Sequence, residues 1–261
     1  MNKVLSIAGS DCSGGAGIQA DLKTIMYHKC YGMSVITALT SQNTLGVTNI
    51  LETPLSFISE QLDSVFSDIY PDAIKIGMLA NAKTVELISD YLLKVEAKNI
   101  VVDPVMVSTS GSKLINDEAI SLLKSKLFKI ASIVTPNIYE AEILSEIKIQ
   151  TKDDMTKAAK IISKFCNGAV LIKGGHLKTT ASDLLYKDKK YYWFDAEIID
   201  NKNTHGTGCT LSSAIASNLA NGFNIIDSVE KAKIYITSAI KMKLDIGKGR
   251  GPLDHTLTNL T

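Results

Sequence analysis

Short runs of consecutive apolar residues alternate along this chain with longer stretches whose apolar positions recur every three or four residues. The short runs, Val4–Ala8, Ser34–Ala38, Ala73–Ile76, Ile100–Val102, Ser132–Thr135 and Ala169–Ile172, have strand length. They lack polar alternation, the pattern of a parallel sheet covered by helices on both faces. Between them, Ile18–His28, Leu55–Ser67, Ala82–Glu96, Asp117–Leu127, Ile138–Leu144 and Asp153–Phe165 read as helices. Thr151 followed by Asp154 gives one of these helices a capping-box start, with aspartate in place of the usual Glu or Gln. Asp183–Tyr186 and Tyr191–Phe194 bracket Lys187–Lys190 as an exposed hairpin, and two helices, Leu211–Ala220 and Ile225–Leu244, close the pattern. Repeated β-α-β units of this kind predict an α/β fold with a mostly parallel central sheet. No Pro-, Gly- or Ser-rich linker or block of charge divides the 261 residues, so a single domain over residues 1–261 is expected.

Composition narrows the partner. Hydrophobic residues make up 45% of the chain and the net charge is +1, so no nucleic-acid footprint is present and a small molecule is the expected ligand. The first apolar run breaks at Gly9, too early for a signal peptide, and no stretch approaches membrane length. A cytoplasmic protein with no membrane partner is expected. Cys12, Cys30, Cys166 and Cys209 show no CxxC spacing, and His28, His176, His205 and His255 show no HExxH spacing. Neither a disulfide framework nor a zinc site is indicated.

Parallel sheets bind ligands beyond the carboxyl ends of their strands. Polar or glycine-rich residues follow strand after strand there: Gly9-Ser10-Asp11 with Ser13–Gly17, Gly77-Met78, Asp103-Pro104-Val105, Pro136-Asn137 with Glu140, and Lys173-Gly174-Gly175-His176. Each alone is ordinary turn chemistry; together they mark a site. Asn203–Ala216, NTHGTGCTLSSAIA, adds a helix start at Gly206, Thr207 and Gly208, where unpaired N–H groups and the helix dipole attract an anion. Cys209 lies in the same field, which lowers a thiol pKa from about 8.5 toward roughly 3.5 to 7.5. Thr207 and Thr210 as plain caps, with Cys209 a small buried residue, remain the alternative. The P-loop pattern, the dinucleotide fingerprint and GxSxG are all absent. An anion cradle, a cationic Lys173, and carboxylates Asp103 and Glu140 able to hold magnesium are the parts of a phosphoryl-transfer site.

IAGSDCSGGAGIQADLKT, TSQNTLGV, KIGMLA, VVDPVM, TPNIYEAE, IKGGH, NTHGTGCTLSSAIA and GKGRGP occur in this order. The chain thereby resembles the ribokinase-like kinases along its whole length, and within them the hydroxymethylpyrimidine and phosphomethylpyrimidine kinases of thiamine biosynthesis. The resemblance implies a three-layer α/β/α fold, ATP and Mg2+ as co-substrate and cofactor, and a homodimer. It implies phosphorylation of 4-amino-5-hydroxymethyl-2-methylpyrimidine and then of its monophosphate in the same site. It places the pyrimidine against Gly9, Ala16, Asp21, Gln42, Met78 and Val105. Asn137 and Glu140 match the family's NxxE motif, which orders magnesium and its waters, with Asp103 beside them. Lys173 is implied along the nucleotide phosphates, Gly206, Thr207 and Gly208 around the transferred group, and Cys209 as the base. The carboxamide of Gln42 suits an aminopyrimidine edge on its own chemistry, carrying a donor and an acceptor side by side.

Val107–Lys113, VSTSGSK, has the composition of a lid pivoting at Gly111. Some pyridoxal kinases of the superfamily carry a second reactive cysteine there, whereas this chain has Ser110 and no cysteine between Cys30 and Cys166. Pyridoxal or pyridoxine phosphorylation is the nearest rival reading, and a non-catalytic vitamin-precursor binding protein a second. Cys12 stands where the family usually has Ser or Pro.

Overall fold

The computed structural model describes residues 1–106, 116–175 and 181–256. The chain passes through β1 (Lys3–Asp11), α1 (Gly17–Tyr27), β2 (Tyr31–Asn43), β3 (Gly46–Glu52), α2 (Leu55–Asp68), β4 (Ala73–Ile76), α3 (Ala82–Lys94) and β5 (Ile100–Val102). Then follow α4 (Asp117–Leu122), a π-turn at Leu123–Leu127, α5 (Phe128–Ile130), β6 (Ile133–Val134), α6 (Ile138–Ser145) and α7 (Lys152–Ile162). β7 (Ala169–Ile172), β8 (Asp183–Lys187), β9 (Lys190–Phe194), α8 (Thr207–Ala220) and α9 (Ile225–Lys241) complete it.

The strands form one sheet in the order β3-β2-β1-β4-β5-β6-β7-β8-β9. β2-β1-β4-β5-β6-β7 is parallel throughout, and antiparallel pairs flank it at β2–β3 and at β7–β8–β9. Strand alternation sends successive apolar side chains into two different cores. Leu5, Ile7, Ile74, Ile76, Val102 and Val134 pack on one face with Ile58 of α2, Ile88 of α3 and Ala158 of α7. Val4, Ala73, Val101 and Leu171 pack on the other with Ile25 of α1, Ile215 of α8 and Ile236 of α9. Both faces are buried, which is why the strands read as unbroken apolar runs. The three-layer α/β/α arrangement expected from the sequence is the one found.

The differences are local. β3 is unannounced because GVTNILE lies at the sheet's edge with Thr48–Glu52 exposed, so burial imposes no alternation on it. Its antiparallel pairing extends β2 well beyond Ser34–Ala38. The single helix expected over Asp117–Leu127 is instead α4, the π-turn and α5, a path that keeps Leu123, Leu127 and Phe128 in the core. α8 starts at Thr207 rather than Leu211, so the glycine-rich segment is itself the first helical turn. The capping box at Thr151 and Asp154 and the hairpin across Lys187–Lys190 are present as read. The expected lid at Val107–Lys113 and His176 lie outside the described residues.

Candidate active site

The carboxyl ends of the parallel strands open into one cavity of about 1260 Å3, room for a nucleotide and a small acceptor together. Gly9, Ala16, Gln42, Met78, Val105, Asp103, Asn137, Glu140, Lys173, Gly206, Thr207, Gly208 and Cys209 all line it. Asp21 does not.

Two helices aim their amino ends at this space without any side-chain cap, α1 behind Ala16 and α8 behind Gly206. The Thr207 N–H donates to the Thr204 carbonyl at 3.3 Å and the Gly17 N–H is directed at the Cys209 thiol, so the pull of these two ends on an anion comes from the remaining first-turn N–H groups and the helix dipoles. Thr207 and Thr210 do not cap α8; the Thr210 hydroxyl is buried with no hydrogen-bond partner among the described residues. Gly206 adopts φ +83°, a left-handed conformation, and a Cβ there would overlap the carbonyl oxygen of Gly15, so only glycine lets the two loops meet. A Cβ on Gly208 would lie 3.3 Å from both Asp103 Oδ2 and Lys173 Nζ. The start of α8 thus abuts a charged pair, Lys173 Nζ donating to Asp103 Oδ1 at 2.6 Å. Beside them Asn137 and Glu140 form a reciprocal capping box on α6: Glu140 N–H donates to Asn137 Oδ1 at 2.9 Å, and Asn137 N–H to Glu140 Oε2 at 2.8 Å. Burial, reinforced by the negative charge of Asp103, pushes the Glu140 carboxyl up to about 7, although Lys173 and the N–H groups of Asn137 and Met106 oppose the rise.

Cys209 departs from expectation. Burial pushes its thiol up to about 11, with Asp21 and Asp103 adding to the rise, while Lys75 and the Gly17 N–H pull the other way. The helix N-terminus expected to lower this pKa is outweighed by loss of solvent and by neighbouring carboxylates, so the resting group is the neutral thiol. Lys75, fully buried on β4, donates to Asp21 Oδ2 at 2.8 Å. Burial disfavours its charged form, yet the Asp21 carboxylate more than compensates and holds its pKa above the ordinary lysine value. Asp21 also accepts from Ser6 at 2.6 Å and from Ser213 of α8 at 2.8 Å. Its place is beneath the cavity, tying α1 to β1, β4 and α8. Nor is it the exposed carboxylate that a position on a helix would otherwise suggest.

At the β1–β2 end, a Cβ on Gly9 would meet the Met78 methyl at 2.7 Å, so glycine there makes room for a flexible apolar side chain on the cavity wall. Gln42 lies between Thr40 and His205, whose Nε2 is 3.1 Å from the Gln42 carboxamide and 2.8 Å from Asp11 Oδ2. Burial alone would raise the Asp11 carboxyl. Hydrogen bonds from His205, Ser13 and Ala16 overcome it and bring the group down to about 2.

Lys75 and His205 also line the cavity beside Asp11 of the strand-end set, and the sequence does not single these two out as site residues. The signal for Lys75 was available, a lone cation inside an apolar strand, which a buried sheet accepts only with a partner. His205 carried none beyond its place before the glycines.

The sequence profile described as phosphomethylpyrimidine kinase matches residues 11–254. The chain belongs to that kinase family. It is 46% identical over 255 residues to the hydroxymethylpyrimidine/phosphomethylpyrimidine kinase of Rhizobium meliloti, covering 96% of each chain. Against the thiamine biosynthesis bifunctional protein ThiED of Geobacter sulfurreducens it is 48% identical, spanning 97% of this chain and 52% of that longer relative. Among solved structures it resembles the phosphomethylpyrimidine kinase of Clostridium difficile, with a TM-score of 0.82, 45% identity, and coverage of 92% of this chain and 100% of that one. It also resembles the pyridoxal kinase of Staphylococcus aureus in complex with AMP-PCP, with a TM-score of 0.92, 36% identity, and coverage of 100% and 95%. Both likenesses are to kinases, and the cavity of this chain opens at the carboxyl ends of its parallel strands.

Proposed function

We propose that this kinase transfers the γ-phosphate of ATP to the hydroxymethyl oxygen of 4-amino-5-hydroxymethyl-2-methylpyrimidine, and then phosphorylates the monophosphate to the diphosphate, within thiamine biosynthesis. The observation that carries the reading is a shared cavity: Gln42, able to match an aminopyrimidine edge, faces the same space as Lys173 and the uncapped start of α8. Gly9, Ala16, Met78 and Val105 line the wall for the ring. In each transfer the acceptor oxygen bonds to the γ-phosphorus, the bond to the bridging oxygen breaks, and ADP leaves. Lys173 and the N–H groups of Gly206, Thr207 and Gly208 neutralise charge on the moving phosphoryl group. Cys209, as the thiolate, accepts the acceptor's proton.

Asp103 and Glu140 would hold magnesium, with Asn137 beside them. Two buried carboxylates, one of them raised by burial and by the charge of the other, are a donor set that fits a hard cation. Among the described residues no group of three or more His, Cys, Asp and Glu side chains could hold a metal ion by itself, so the remaining ligands would be water and phosphate oxygens. When bound, the ion supplies positive charge against the nucleotide phosphates.

The likeness to a pyridoxal kinase makes pyridoxal the alternative acceptor. Incubation with ATP and magnesium of hydroxymethylpyrimidine, its monophosphate and pyridoxal in parallel, resolved by product mass, tests the reading. The pyrimidine diphosphate is expected. Turnover of pyridoxal alone would overturn the ring assignment, and no turnover with any of the three would favour a binding protein.

Residues 1–261 are read as a single domain, supported by one sheet running across it. A homodimer is supported by Leu39 and Leu51, cross-strand partners on the β2–β3 edge that are 48% and 67% exposed. Leu51→Lys is expected to yield monomers in sedimentation if that edge pairs. No helix among the described residues is long and apolar enough to cross a membrane. A reducing cytoplasm suits the four free thiols.

A further inference from the structure

Asp11, Thr40, Gln42 and His205 form a cluster at the β1–β2 end of the cavity whose protons have one consistent arrangement. The Asp11 carboxyl, down to about 2, is a charged acceptor at neutral pH, so His205 Nε2, 2.8 Å from Oδ2, carries a proton and donates it. The Gln42 carboxamide has one terminal atom 3.1 Å from that same Nε2 and the other 3.1 Å from Thr40 Oγ1. Thr40 Oγ1 donates its single proton to the Ser10 carbonyl at 2.9 Å. An amide nitrogen toward His205 sets two donors against each other and leaves two acceptors competing for the Thr40 proton. With the amide turned, Oε1 shares the His205 N–H with Asp11, Nε2 donates to Thr40, and every proton has an acceptor. The imidazole packs against Gly15, where a Cβ would overlap its ring, and the residue is anchored by its main-chain N–H, which donates to the Gly251 carbonyl at 3.1 Å.

We propose that His205, held by Asp11, is a positioning residue that locks the Gln42 carboxamide in one orientation, so that it selects a 4-aminopyrimidine edge over a 4-oxopyrimidine edge. The inference rests on Gln42 contacting the ring, as read above. A 4-amino group beside a ring nitrogen presents donor then acceptor; a 4-oxo group beside a ring N–H presents them in reverse. A locked carboxamide pairs with the first and sets like against like with the second, leaving desolvated polar groups unpaired. A free carboxamide turns over and accepts either.

The test compares kcat/KM for 4-amino-5-hydroxymethyl-2-methylpyrimidine and its 4-oxo analogue in the intact chain, in His205→Leu and in Thr40→Val. The unmodified chain is expected to favour the amino compound by about 10² or more, and His205→Leu to cut that ratio about tenfold or more, chiefly through KM. Thr40→Val, which removes the other anchor, moves the ratio in the same direction and decides the matter if His205→Leu does not fold. Discrimination that persists unchanged in the folded variants overturns the inference while leaving the proposed function intact. Failure of the unmodified chain to phosphorylate the amino compound overturns both.

Discussion

Lys173 Nζ meets Asp103 Oδ1 at 2.6 Å directly against Gly208, so the cation expected on the nucleotide side rests on the carboxylate expected on the metal side. Each neutralises the other where both are almost out of water. Lys173→Met therefore removes a phosphate-facing charge and strands Asp103 beside the raised Glu140. A fall in kcat of about 10²–10³ is expected, from loss of one preorganised donor at developing charge. Stability should fall as well, by about 3–5 kcal/mol for an unpaired buried charge. Steady-state kinetics and urea unfolding of the same variant read the two effects separately.

The layers and the strand-end residues were legible because they rest on period and punctuation. Apolar runs such as Ile100–Val102 leave a parallel sheet little choice; Asp103 and Lys173 follow their strands directly, and Asn137 comes three residues after its own. What the sequence hid was decided by tertiary contact. Asp21 on α1 looks like any helical carboxylate until β4 brings Lys75 against it. The thiol of Cys209 has the local setting of a low pKa, and only the depth of the site and the carboxylates around it reverse the direction. Edge strand β3, exposed and unpatterned, had no signal to read.

Cys209 is expected to behave as a buried thiol until it is made to react. In the ligand-free protein its alkylation by iodoacetamide should be slow at neutral pH and rise about tenfold per pH unit toward about 11, as the thiolate fraction grows. Cys209→Ala should lower kcat by about 10²–10⁴ if the thiolate accepts the substrate proton. Retention of more than about a tenth of kcat would falsify that role.

Asp11 ties acid stability to the ring pocket. Its folded pKa of about 2 lies below the ordinary value of 3.8, so the stability it contributes is fully present above 3.8 and is lost as the pH falls from there through about 2. The shift corresponds to about 2 kcal/mol. Asp11→Asn should be less stable than the unmodified chain by about that amount at pH 6, and the gap should close toward pH 2. Urea midpoints across that range check it; a gap independent of pH would mean that the carboxylate's charge is not what stabilises the loop.

Lys75 and Asp21 offer the sharpest separation of architecture from substrate contact. Both are fully buried, and the carboxylate is shared by Lys75, Ser6 and Ser213. Lys75→Met leaves Asp21 charged and unpaired in the interior and should destabilise the protein by about 3–5 kcal/mol. Changing Asp21→Asn together with Lys75→Met removes both charges at once and keeps a polar group for the two serines, so most of that loss should be recovered. Asp21 does not line the cavity and Lys75 does, so a KM for the aminopyrimidine within a few-fold of the unmodified chain in the folded double variant is expected only where neither side chain binds the substrate. If stability returns while KM rises by a factor of about a hundred, nearly 3 kcal/mol of binding has been lost, and the single Asp21→Asn variant then separates a contact from Lys75 at the cavity wall from one made by the carboxylate. If neither returns, the charged pair itself is what holds α1 and α8 against the sheet.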